Sequence, residues 1–86
     1  MHPRAMVAED TQELIYRYMR KMDEFVTPGA AAKRLGWHAS TLSVAFREGR
    51  DRGWYETQDS AQWTNPVTGG PATEYRAVPR RPSRPG

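Results

Sequence analysis

The sequence predicts a small α+β domain, three helices followed by a C-terminal β-hairpin, and three features carry that expectation. Apolar residues recur at helical spacing over 14–22 and again over 42–49. Between these stretches, Thr27-Pro28 and Gly36 bracket a short segment with a strong helix start and a strong stop. After Gly53 the composition turns to strand formers punctuated by turn-making pairs. With 86 residues, the chain has room for one modest core.

The elements follow in order. Residues 1–9 carry no pattern and are expected to form a flexible N-terminal arm. Asp10-Thr11-Gln12-Glu13 has the form of a capping box, with Asp10 as cap and Glu13 reaching back. Leu14, Ile15, Tyr18, Met19 and Met22 then mark the apolar face of a helix ending near Asp23. Phe25-Val26 reads as either a brief strand or a packed linker. At Thr27 a hydroxyl is placed to cap the next helix, and Pro28 gives up an N–H that would be unpaired there anyway. Ala31 and Leu35 share a face of this second helix, and Gly36 suits a left-handed stop. After the turn Trp37-His38-Ala39, either Ser40 or Thr41 is expected to cap a third helix. Leu42, Ala45, Phe46 and Gly49 would face inward from it, while Thr41, Ser43, Val44, Arg47, Glu48 and Arg50 face the other way. Gly53 ends it.

Trp54-Tyr55-Glu56-Thr57 and Thr73-Glu74-Tyr75-Arg76-Ala77-Val78 are rich in strand formers, with fifteen residues between them. The pairs Asn65-Pro66 and Gly69-Gly70-Pro71 in that connection mark turns, and further pairing is expected near Gln62–Thr64. Residues 79–86, Pro-Arg-Arg-Pro-Ser-Arg-Pro-Gly, are expected to be a disordered basic tail. No internal repeat is visible.

Charge is distributed unevenly. The net charge is +3, and the tail alone holds three arginines and no acid, which leaves residues 1–78 balanced. Residues 27–53 contain five basic and two acidic side chains, whereas residues 54–78 contain one basic and three acidic. The positive field therefore belongs to the helix pair and the tail, a polarity suited to nucleic acid, although charges this sparse also serve simply to solvate a surface. With no cysteine, a disulfide framework and a thiolate metal site are both excluded. No apolar run approaches membrane-spanning length and no signal-peptide core is present, so the chain is expected to be soluble and cytoplasmic.

The order helix, short extended piece, helix, turn, helix, hairpin resembles the winged helix-turn-helix family of small bacterial and bacteriophage DNA-binding proteins over residues 10–78. The run Ala31-Ala32-Lys33-Arg34-Leu35-Gly36-Trp37-His38-Ala39-Ser40-Thr41-Leu42-Ser43 is similar to the family's helix-turn-helix. Arg52-Gly53-Trp54-Tyr55 is similar to its exit into the wing. Asn65-Pro66-Val67-Thr68-Gly69 followed by Ala72-Thr73-Glu74-Tyr75-Arg76 is similar to the wing itself. The resemblance implies binding to double-stranded DNA, with the helix at about residues 40–52 in the major groove.

Carried over residue by residue, it implies that His38, Ser40, Thr41, Ser43, Val44 and Arg47 face DNA. Arg47 is the expected base reader, since a guanidinium can bridge the two acceptors on a guanine edge; its plainer role is an ion pair with Asp51 four residues on. Thr27, Lys33 and Arg34 are expected at the phosphate backbone, joined by Arg50 and Arg52 from the far end of the helix and by Arg76 from the wing. The chain departs from the family at three places. Val44 stands where a polar or basic residue is usual. Gly49 stands where a core leucine is common, so the helix end is expected to be loosely packed or bent. The wing is acidic, with Glu56, Asp59 and Glu74 against a single cation, Arg76.

Trp37 and Trp54 are expected in the core and Tyr75 across the hairpin, whereas Trp63 either folds back or stands out as an anchor for a protein partner. Catalysis finds no support in the sequence. His2 and His38 are the only histidines, and His38 lies in a turn beside Trp37 with no nearby acid to orient it. No glycine-rich phosphate cradle follows a strand, and no metal-ligand cluster is present. No cofactor is implied. The expected function is DNA binding by a small transcriptional or phage regulator, with homodimerisation through the helix at residues 10–23. The alternative is a winged-helix module that contacts a protein through its wing.

Overall fold

The computed structural model describes residues 7–82, and the chain folds as α1 (Glu9–Met22), α2 (Pro28–Leu35), α3 (Ala39–Asp51), β1 (Tyr55–Thr64) and β2 (Pro71–Ala77). The class is α+β, with three helices preceding a two-stranded antiparallel hairpin, an order compatible with a winged helix layout. Residues 1–6 of the expected arm and 83–86 of the expected tail lie outside the described residues.

The middle helix follows its sequence signals closely. Thr27 Oγ1 accepts the Ala30 N–H at 3.2 Å, Pro28 occupies the first turn, and Gly36 closes the helix at φ 73°. Val26 makes a single antiparallel bridge with Tyr75, with N–H···O distances of 3.0 and 2.8 Å, so Phe25-Val26 contributes a minimal strand beside the hairpin.

The other two helix starts differ from expectation. Helix α1 begins at Glu9 behind Ala8, with no side-chain cap, so Asp10 lies inside the first turn and the capping box does not form. An acid within that turn still stabilises it through the helix dipole. His38 precedes α3 in extended conformation without a side-chain cap, which puts Ser40 and Thr41 inside the helix as well.

Burial on α1 also shifts around its axis. Gln12, Ile15, Tyr16 and Met19 face the core, whereas Leu14 and Tyr18 are 40% and 43% exposed. Gln12 is admitted because its Nε2 donates to the Ala45 carbonyl at 3.1 Å and to Glu48 Oε1 at 3.4 Å. The donor side of this buried amide is thus satisfied, while its Oε1 has no hydrogen-bond partner among the described residues.

The core joins Ile15, Tyr16 and Met19 of α1 to Ala31 and Ala32 of α2, Leu42, Ala45 and Phe46 of α3, and Trp54, Tyr55, Tyr75 and Ala77 around the hairpin. Phe46 is its hub, with ring centroids 5.1 Å from Tyr55 and 4.9 Å from Tyr75. Trp54 is buried as expected, and Trp37 packs half-buried at the margin. Gly49 is neither loose nor a bend. Its missing side chain is the space in which the Tyr55 ring lies, since a Cβ there would stand 2.3 Å from Tyr55 Cε2.

The hairpin is longer than the sequence suggests. Register is regular from Tyr55↔Ala77 to Asp59↔Thr73 and resumes at Thr64↔Pro71. Residues 60–63 of β1 therefore face Ala72 alone, an enlarged bulge. Ser60 holds it together, its buried Oγ accepting the N–H groups of Gln62 at 3.1 Å and Trp63 at 3.0 Å. Asn65 Oδ1 accepts from Val67 N at 2.8 Å, and Gly69 adopts φ 77° to complete the turn.

Candidate nucleic-acid interface

One side of α3 is committed to the core through Leu42, Ala45, Phe46 and Gly49. At 3.6 residues per turn, Ser40, Ser43, Val44, Arg47 and Asp51 fall on the opposite side. Ser40, Arg47 and Asp51 are exposed, while Ser43 and Val44 are half-buried. Tyr55 meets α3 at Gly49, on the inward side, so the hairpin root leaves the outward side open. No acid occupies the first turn of α3, and its N-terminal N–H groups have no side-chain cap. That combination favours an anion such as phosphate.

The cations of this region divide into engaged and unengaged groups. Arg34 Nη2 lies 3.2 Å from Glu24, Arg50 Nη2 lies 3.4 Å from Asp51, and Arg76 Nη2 lies 3.1 Å from Glu56. Arg76 also sits 4.6 Å over the Phe25 ring. Arg52 is the most firmly held, donating to both Glu9 oxygens at 2.8 and 2.9 Å and lying 5.0 Å over the Trp54 ring. The Glu9 hydrogen bond is the chief cause that raises the Arg52 pKa above its ordinary value. Among the described residues, Lys33 and Arg47 are exposed and take part in no ion pair.

The expected DNA-facing residues thus separate by role. Ser40, Ser43, Val44 and Arg47 gather on one outward strip, exposed at Ser40 and Arg47 and half-buried at Ser43 and Val44, with His38 exposed at its head and Lys33 exposed on α2. Thr41 is half-buried at the edge of that strip. Thr27 is occupied as a helix cap. Arg52 and Arg76 serve as structural clasps, and Arg34 and Arg50 are held by exposed, weaker pairs. Asp51, the expected partner of Arg47, pairs with its sequence neighbour Arg50 instead.

Asp51, weighed in the sequence only as a partner for Arg47, closes the C-terminal end of the outward strip with negative charge. One participant escaped the sequence reading. Arg81, expected in a disordered tail, is docked on α1: it donates to Glu13 Oε2 at 2.7 Å and lies over both Tyr16 and Trp54. Two aromatic faces and a carboxylate compensate the lost freedom of this part of the tail.

The hairpin presents a different surface. Trp63 is 61% exposed and Val67 at the turn is 90% exposed, an apolar tip on a hairpin that also carries Asp59 and Glu74. Among the described residues, no three acidic, histidine or cysteine groups converge on a metal site, and no helix is long and apolar enough to cross a membrane. No family model matches this chain, and no curated protein or solved structure shows significant similarity to it.

Proposed function

We propose that this chain is a winged helix-turn-helix module that binds double-stranded DNA by inserting the N-terminal half of α3 into the major groove. It would act as a small regulator of bacterial or bacteriophage type, working in the cytoplasm at the nucleoid. The observation that carries this reading is the outward strip Ser40–Ser43–Val44–Arg47, exposed at Ser40 and Arg47 and half-buried between them, which ends in a guanidinium engaged by no carboxylate among the described residues. Arg47 reads a guanine edge, Ser40 and Ser43 bond phosphate or base, and Val44 meets a thymine methyl. Lys33 holds the backbone beside them. Asp51 confines the contact to the first two turns of the helix, because phosphate would be repelled beyond them. So short a reading head needs two copies or adjacent sites for useful selectivity.

Binding to labelled random duplex DNA, followed across salt concentrations, tests the reading. Affinity should fall steeply with salt, and Arg47→Ala should weaken it while lowering the log–log salt slope by about 1. Affinity independent of salt, with Arg47→Ala indistinguishable from the parent, overturns it.

A second reading has its own observation. Trp63 and Val67 are exposed on a wing whose one cation is already paired with Glu56, a surface suited to a protein partner and unsuited to a minor groove. Loss of biological activity in Trp63→Ala with DNA affinity unchanged would favour it.

A further inference from the structure

The N-terminal half of α1 offers two carboxylates one turn apart, Glu9 and Glu13, and each holds an arginine from a distant part of the chain. Glu9 takes Arg52 from the end of α3, and Glu13 takes Arg81 from beyond β2. Both guanidinium groups also meet the same indole, Trp54, at 5.0 and 4.7 Å. Arg81 has a second aromatic partner, Tyr16, at 4.6 Å, and Tyr16 meets Trp54 edge-on with ring centroids 5.6 Å apart. Glu13, Trp54, Arg81 and Pro82 line an open cleft there.

The two arginines differ in how they reach this place. Arg52 directly follows α3 and is fixed by the helix. Arg81 follows the hairpin's last strand, and the segment carrying it is held by the Tyr16 hydroxyl donating to the Val78 carbonyl and by Pro82 lying over Gly53. A planar cation set against two aromatic rings and closed by a carboxylate is the geometry by which proteins recognise guanidinium side chains.

From this arrangement we infer that Glu13, Tyr16 and Trp54 form a binding site for an arginine side chain, with Arg81 as its resident ligand. The site accepts an arginine-bearing peptide segment of a partner protein, and the chain's own tail is its built-in competitor. Tethering keeps Arg81 at an effective concentration on the order of millimolar, so an external segment enters only where it exceeds that or where the tail is drawn away. The inference is independent of DNA binding, since none of these three side chains belongs to the outward strip of α3.

The test uses the full chain and its Arg81→Ala variant, titrated with a synthetic peptide of the sequence of residues 79–86. The readout is the Trp54 indole N–H resonance, assigned through Trp54→Phe. In Arg81→Ala the peptide should bind saturably and move that resonance toward its parent position. The parent protein, its cleft already filled, should require at least about tenfold more peptide. Adding Glu13→Gln to Arg81→Ala should weaken binding, as should replacing every arginine of the peptide by lysine. An unsaturable shift in Arg81→Ala overturns the inference, and so does equal affinity for the lysine peptide, which would reveal only undirected charge attraction. A Trp54 resonance at the same position in parent and Arg81→Ala would likewise overturn it, by showing that Arg81 does not occupy the site.

Discussion

Tyr55 lies across the backbone of Gly49, its Cε2 atom 2.3 Å from where a β-carbon would stand. This contact joins the hairpin root to α3 and fixes the angle at which the hairpin leaves the helix. Gly49→Ala should therefore destabilise the fold by about 1–3 kcal/mol through overpacking, outweighing the roughly 1 kcal/mol that alanine gains over glycine in a helix. Urea denaturation of the variant checks the sign. A Gly49→Ala protein more stable than the parent would show that the ring yields freely.

The Tyr55 hydroxyl is buried and finds no hydrogen-bond partner among the described residues, and burial is the chief cause raising its pKa above the ordinary phenol value. Raising a phenol's pKa on folding leaves stability intact below the unfolded-state value of about 10 and removes it as pH climbs above that. Tyr55→Phe should accordingly fold as well as the parent near neutrality and resist alkaline unfolding better. Circular dichroism between pH 9 and 12 gives the comparison, and identical alkaline midpoints would refute the expectation.

Arg52 and Arg47 should respond oppositely to replacement. Arg52 is held by Glu9 and covers Trp54, so Arg52→Ala should lower stability, and a double-mutant cycle with Glu9→Ala should return a coupling of about 0.5–1 kcal/mol for this partly exposed pair. Arg47→Ala should leave the denaturation midpoint within about 0.5 kcal/mol of the parent, as surface substitutions do. A stability loss confined to Arg47→Ala would invert the assignment of the two side chains.

Thr27 acts as a cap rather than as a free hydroxyl. Thr27→Ala should cost about 1 kcal/mol of folding stability, while Thr27→Ser should keep most of it because the oxygen is retained. Thermal melts of both variants separate a capping role from a nucleic-acid role, for which stability would be unaffected in each.

The sequence was most informative where structure is decided locally. Thr27, Pro28 and Gly36 act within one turn of themselves, and the helix they bound is found where they place it. Signals depending on distant partners were not readable. Gln12 is drawn into the core by the Ala45 carbonyl, 33 residues away, and Arg52 is held by Glu9, 43 residues away. Gly49 suggested looseness because the ring that fills its space belongs to another element. The bulge at residues 60–63 depends on one serine side chain bonding to its own backbone, a choice that strand propensity does not encode. For the candidate site, helical spacing put Ser43, Val44 and Arg47 on the outward side of α3 but also put Glu48 there, which instead turns toward Gln12, and it passed over Ser40 and Asp51. The engagement of Arg52 and Arg76 depended on acids brought near them only by folding.

The chain's three indoles differ in their surroundings: Trp54 is enclosed, Trp37 half-covered, and Trp63, beside the Ser60 bulge, open to water. Their emission should therefore separate under a soluble quencher such as iodide, with Trp63 extinguished first. The hairpin tip carries its own intrinsic lamp, and anything that settles on it will shade that light without a label being attached.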